Sequence, residues 1–236
     1  MKNLYLKMKN NTLKFLIRLF IVVLGVLISF SIEKKRALSY KEDLKNNSLK
    51  KMLDNINHDL RDKIINYEIH TNAWRCCDRL LDNSEELFQE NKDSLGYYIQ
   101  IGSMANTIFI DNKEEYLTLR NSGLLELIDN DSLISLLHKK YSYHPFYKKI
   151  EDGIGKLNNK FRDSMLNKIS YLSIGKTKYW GGYGEYISPS PLTNSDLLIV
   201  KDKLGMSYFY SGIIKESMKE DSVLMDMIKQ ELSDTE

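Results

Sequence analysis

Proline is scarce in this chain, at 3 residues of 236, and cysteine scarcer, at 2. Neither glycine nor proline occurs between Val26 and Leu95, so nothing across that interval is built to break a helix. Net charge is nearly absent as well: 34 lysines and arginines face 32 acids. A chain so balanced projects no field that would recruit nucleic acid, and nucleic-acid binding is set aside. The two cysteines, Cys76 and Cys77, are neighbours, whose mutual disulfide would close a strained ring. Two such residues build neither a disulfide scaffold nor a zinc site. On a helix their side chains diverge by about 100°, so one could face inward and the other water; they are read as buried thiols, with a crosslink between two copies as the alternative.

Arrangements that carry chemistry are missing in the same way. His58, His70, His138 and His144 never form an i, i+4 pair with a third ligand, so no metal site is assigned. The glycines of "WGGYGEY", residues 180–186, match neither phosphate-binding spacing and have no strand-then-helix frame around them. No serine or cysteine has the context of a nucleophile elbow, and no carboxylate pair stands apart from the solvated charges. The chain therefore reads as no enzyme, with no catalytic, cofactor-binding or metal-ligating residue and no cofactor.

What the chain does have is one long apolar run. "FLIRLFIVVLGVLISFSI", residues 15–32, follows a short tail, 1–14. Residues 1–18 carry Lys2, Lys7, Lys9, Lys14 and Arg18 and no acid. Eighteen helical residues reach roughly 27 Å, close to a hydrocarbon core of about 30 Å. Arg18 at one end and Lys34, Lys35 and Arg36 at the other can snorkel outward. Ser29 and Ser31 are tolerable because a hydroxyl can bond back to its own helix. A cleaved signal peptide would need a better site than Ser29-Phe30-Ser31 and no basic cluster directly after it. The run is thus read as an uncleaved single-pass signal anchor, with the lipid bilayer as its partner. Basic residues are nearly tied on the two sides, so charge alone leaves the orientation open.

Beyond the anchor, apolar residues recur at Leu49, Met52, Leu53, Ile56, Leu60 and Ile64, then at Trp74, Leu80 and Leu81. That 3–4 spacing predicts an amphipathic helix over 33–82, continuous with the anchor and roughly 100 Å long in all. Lys63, Asn66, His70 and Thr71 interrupt its seam as a coiled coil. The remainder, 83–236, reads as further helices with one irregular loop at 173–195. Ser84 is read as capping a helix over 84–93, and residues 96–110 as a strand or a buried helix. Asp111 or Asn112 would start a helix that Gly123 ends, Asp131 would cap the next, and Pro145 would break that one. In the tail, Leu197 to about Glu216 forms one helix, and Asp221 or Ser222 caps another over 223–232. The fold class is all-α: a transmembrane helix running into a long amphipathic helix that packs into a helical bundle.

The anchor ending "VVLGVLISF", the charged helix "YKEDLKNNSLKKMLDNINHDL" and "YLTLRNSGLLELIDNDSLISLLHKKYS" together resemble an uncharacterised, domain-of-unknown-function family. Its members are bacterial single-span membrane proteins, commonest in Bacteroidota. The matching positions are Leu119, Ser122, Gly123, Leu125, Ile128, Leu133, Leu137 and Tyr141, and the likeness covers about residues 15–235. "SIEKKRA" departs from the tryptophan-asparagine pair usual after the family's span, and Ser142 replaces a second tyrosine. The resemblance implies an inner-membrane protein with its N-terminus cytoplasmic and its helical body periplasmic. It brings no catalytic residues.

These readings converge on a membrane-anchored, non-enzymatic interaction or scaffold protein that binds a protein partner or itself. The alternative is a sensor-like helical domain that holds a small molecule and signals through a partner. Tyr179, Trp180, Tyr183 and Tyr186 in the aromatic-glycine loop, with Arg120, are the candidate interaction surface. The competing reading packs those rings down onto the bundle.

Overall fold

A computed structural model describes residues 2–170 and 184–234, with side chains from residue 15 onward. Among the described residues six α-helices carry the fold: α1 (Lys2–Glu90), α2 (Lys92–Met104), α3 (Glu114–Asn121), α4 (Asp131–Ser142), α5 (His144–Met165) and α6 (Asn194–Ser233). A 3₁₀ turn, Leu124–Leu127, joins α3 to α4. The all-α class is what the chain adopts.

α1 is one helix of 89 residues, about 130 Å long at 1.5 Å per residue. It does not stop near residue 82, and no separate helix begins at Ser84, which is buried inside α1. The cap lies later: Asn91 accepts from the Ser94 amide to start α2. Every residue from 15 to 44 is exposed. The 15–32 portion is long and apolar enough to cross a membrane, and Ser31 bonds back to the Leu27 carbonyl at 2.9 Å.

From Leu49 onward burial recurs at Met52, Ile56, Asp59, Lys63, Asn66, His70, Ala73, Cys77 and Leu80. The steps alternate three and four without a miss, which is the heptad stripe of a helix seated on a partner. α6 answers with Asp196, Val200, Lys203, Ser207, Tyr210, Ile214, Ser217, Asp221, Leu224, Ile228 and Glu231, spaced the same way. The pairing is antiparallel: Lys45 meets Glu231, Lys63 meets Ser217 and His70 meets Tyr210. Lys63, Asn66 and His70, which seemed to interrupt the seam of α1, sit on it and are buried, and Thr71 is buried beside it. α6 is also one 40-residue helix rather than two. Asp221 caps nothing; it lies in the middle of α6, 2% exposed. The start of α6 is a capping box, with Thr193 and Asp196 each satisfying the other's backbone N–H.

The shorter elements close the sides. α2 ends at Met104, so residues 96–110 are half helix and half extended chain. α3 starts at Lys113 without a side-chain cap, because the predicted caps are engaged elsewhere. Asp111 pairs with His144 at 2.9 Å, and the Asn112 amide donates to Asp59 at 3.1 Å. Gly123 ends α3 with φ of 71°, a left-handed conformation that favours glycine. Asn130 rather than Asp131 caps α4, accepting from the amides of Ser132 and Leu133. α4 ends at Ser142, and Pro145 sits in the first turn of α5, where its missing N–H costs nothing. Leu49, Met52 and Ile56 of α1 pack with Leu133 and Leu137 of α4 and Leu224 and Ile228 of α6 in the core near the anchor. At the other end Leu80, Leu95, Ile99, Phe161, Tyr186 and Val200 form a second core.

Candidate interaction surface

Of the five residues proposed as an interaction surface, Tyr179, Trp180 and Tyr183 lie outside the described residues. Tyr186 is no surface residue: it is fully buried, edge-on to Phe88, with its hydroxyl donating to the Ser190 carbonyl at 2.8 Å. The chain returning at 184–187 rests on α2. The Gly184 amide donates to Gln100 at 2.6 Å, and a Cβ on Gly96 would stand 2.1 Å from the Gly184 carbonyl. Ser170 and Ile187 bond to Glu185 and Lys168 across the base of the loop. Arg120 is exposed, with its guanidinium 5.7 Å from the ring centre of Tyr116.

A concave surface lies elsewhere. A groove of about 720 Å³ is lined by Trp74 of α1, by Tyr143 and Phe146 at the α4–α5 junction, and by Tyr208, Phe209 and Gly212 of α6. Its walls are mainly apolar. Tyr208 is 62% exposed and Phe209 51%, and Trp74 meets Tyr208 edge-on with 5.5 Å between ring centres. Because α1 contributes one flank and the α4–α5 junction the other, the groove passes over the outer side of α6 at Gly212. Sequence reading missed it, yet a signal was present. Tyr208, Phe209 and Tyr210 are consecutive, and a helix turns about 100° per residue. Only one of three such rings can face the interior; here it is Tyr210.

Under the groove runs a band of buried charge. Lys63 donates to Asp221 and to Ser217, both at 2.6 Å, and Lys140 reaches Asp59 at 2.9 Å and Asp221 at 3.0 Å. Burial and the charge of Lys140 push Lys63 down to about 8, against the pull of Asp221. Burial opposes the charge on Lys140 as well, but Asp221 and Asp59 outweigh it and hold that lysine above its ordinary range. Glu151 accepts from the Phe109 amide at 2.8 Å and from the Tyr210 hydroxyl at 2.6 Å.

A different arrangement holds farther from the anchor. Lys203 is completely buried and donates to the Ala105 carbonyl at 2.7 Å and to the Asn158 side-chain oxygen. Burial pushes it down to about 7. His70, beside it, is pushed down to about 3 by burial and by the charge of Lys203, so it is neutral at physiological pH. Cys76 and Cys77 are both buried, at 3% and 0% exposed, as the buried-thiol reading has it, and neither faces water. Burial raises both thiols to about 12, which makes them inert rather than nucleophilic. No cluster of histidine, cysteine and acidic residues among the described residues has the geometry to hold a metal ion.

Compared with protein-family models, with curated proteins and with solved structures, the chain matches none of them.

Proposed function

We propose that this chain is a membrane-anchored, non-enzymatic interaction or scaffold protein. Residues 15–32 cross a bacterial inner membrane, the N-terminus is cytoplasmic and the helical body is periplasmic, as in the single-span family that the sequence resembles. The observation that carries the reading is continuity. An exposed apolar segment runs, inside one helix, straight into a body with an aromatic groove. Rigid aromatic side chains held open on packed helices supply contact area at little entropic cost. The test is purification of the tagged, full-length chain from its native membranes in a gentle detergent. The expected result is a defined complex, either of this chain with itself or with a stoichiometric partner. A monomer that turns over a substrate and loses that activity on one polar substitution overturns the reading.

A second reading, a small-molecule sensor, is favoured by the size of the groove, which falls within the range of ligand sites. A metabolite that raises the melting temperature of the parent, and not of Trp74→Ala, would support it.

A further inference from the structure

We propose that residues 105–112 are a strap that acid releases: protonation of His70 and Lys203, the two neutral bases beneath it, lifts it from the body and uncovers the core under Phe109. The inference goes beyond the interaction reading and does not depend on it.

The observation is how this segment is attached. Among the described residues no backbone–backbone hydrogen bond involves 106–112, so neither helix nor sheet holds it. Side chains do, and most of them titrate. The Phe109 amide donates to Glu151 at 2.8 Å and the Asn112 amide to Asp59 at 3.1 Å, and the Ile110 amide faces Asp62. His70 meets the Thr107 hydroxyl at 2.9 Å, and Asp111 pairs with His144 at 2.9 Å. At the start of the strap the Ala105 carbonyl accepts from Lys203 at 2.7 Å and from Asn158 at 3.1 Å. Apolar anchoring is slight. Beyond Ala105 the one buried side chain is Phe109, edge-on to Tyr147, while Ile108 and Ile110 beside it are 60% and 69% exposed.

Donor counts make two of these attachments specific to an uncharged base. An ammonium carries three N–H donors, and Lys203 finds two acceptors, the Ala105 carbonyl and the Asn158 side-chain oxygen. An imidazolium donates from both nitrogens, and buried Nδ1 of His70 has no partner among the described residues. Both residues are completely buried, so in the closed state an added proton gains no new acceptor. Burial holds Lys203 down at about 7 and, with the charge of Lys203, His70 at about 3. Lifting the strap takes Ala105 and Thr107 off these bases and gives them water instead.

The groups facing the strap and its two bases are Asp59, Asp62, Lys63, His70 and Cys77 on α1, Lys140 on α4, His144, Lys148 and Glu151 on α5, and Lys203 and Tyr210 on α6. For both bases burial lowers the closed-state value, so each favours closure above its free value and loses that preference as pH falls. Free values are about 6.5 for histidine and 10.4 for lysine. Between pH 7.5 and 5.5 they give roughly tenfold more opening from His70 and roughly fourfold more from Lys203. Burial raises Asp62, and its protonation favours closure, so release is largest above the pH at which Asp62 titrates.

The test is hydrogen exchange of the full-length chain in lipid nanodiscs, read by mass spectrometry of fragments. Rates are referred at each pH to those of an unstructured peptide. From pH 7.5 to 5.5 the fragment holding 106–112 should lose protection about fortyfold, while fragments from the middle of α1 and α6 keep theirs. His70→Gln should remove about tenfold of that change and Lys203→Met about fourfold, whatever either does to the melting temperature. A second probe needs neither variant: a nitroxide on Ile108→Cys, an exposed position, should turn mobile over the same interval, with the buried native thiols unlabelled. Unchanged protection of 106–112, a loss shared by every fragment, a label indifferent to pH, or a full response in both variants overturns the proposal. None of these outcomes bears on the interaction reading.

Discussion

Two buried lysines, one near the middle of the body and one farther from the anchor, meet burial in opposite ways. Lys63 shares its site with a second cation and two carboxylates, so the four charges of Asp59, Lys63, Lys140 and Asp221 sum to zero. Among the described residues Lys203 meets no carboxylate, only a carbonyl and an amide oxygen. The first arrangement lets charge survive under the groove because every ion faces an opposite one. The second holds its charge only by partial surrender, with the amine poised near neutral pH. Buried charge is costly unless paired, and the seam between α1 and α6 contains sites of both kinds.

The largest effect should come from breaking the paired site. Asp221→Ala leaves two buried cations sharing Asp59, and should cost about 3–5 kcal/mol of stability by urea denaturation. Replacing all four charged residues with apolar ones of similar size should cost less than that single change. The reverse result would mean that the cluster stabilises as a unit.

The unpaired site predicts a pH dependence. Lys203 titrates near 10.4 when unfolded and at about 7 when folded, so the unfolded chain binds the extra proton between those values. Its contribution to stability is full above the unfolded value and is lost as pH falls through about 7. Thermal midpoints of the parent should decline from pH 10 to 7, with Lys63 adding to the upper part of that decline. Asn158→Asp, which gives Lys203 a carboxylate, should flatten the slope and convert the second kind of site into the first. Lys203→Met should flatten it too. An unchanged slope in both variants would mean that Lys203 is not what titrates.

A smaller effect belongs to the thiols beside Lys203. With values near 12, Cys76 and Cys77 should react with a disulfide reagent on the order of a thousandfold more slowly than free cysteine, until the chain unfolds. Fast labelling of the native protein would place them in an open site. The smallest effect is next door to the paired cluster: Lys139 meets Glu220 at 2.6 Å, but both are more than 40% exposed. Lys139→Ala should leave the melting temperature unchanged, in contrast with its neighbour Lys140.

The sequence carried the fold class, the long exposed apolar segment and the turn at Gly123, because each rests on local chemistry: apolar runs, helical spacing and a conformation that only glycine adopts cheaply. It misplaced features whose meaning is set by distant partners. Asp221 followed by Ser222 has the look of a helix cap, and only Lys63 and Lys140, far away in the chain, make it the centre of an ion cluster. Lys63, Asn66 and His70 looked like breaks in an apolar seam for the same reason. The groove was harder still, since its walls come from three separated stretches. Its one local trace was the aromatic triplet at 208–210. Tyr186 shows the same limit: an aromatic-glycine composition marks it as surface, and only Phe88 and the return of the chain onto α2 make it interior.

The absence of glycine and proline from Val26 to Leu95 has a mechanical meaning. With residues 15–32 in a bilayer, twelve uncovered helical residues, 33–44, separate the body from the lipid by about 18 Å, and no flexible joint interrupts them. The helix then behaves as a ruler. Trp74 stands roughly 60 Å above the end of the span, and that height cannot shrink by bending at a linker. Anything that engages the groove must therefore meet it at a set altitude, and lengthening or shortening the stalk by whole turns would move that meeting plane about 5 Å at a time.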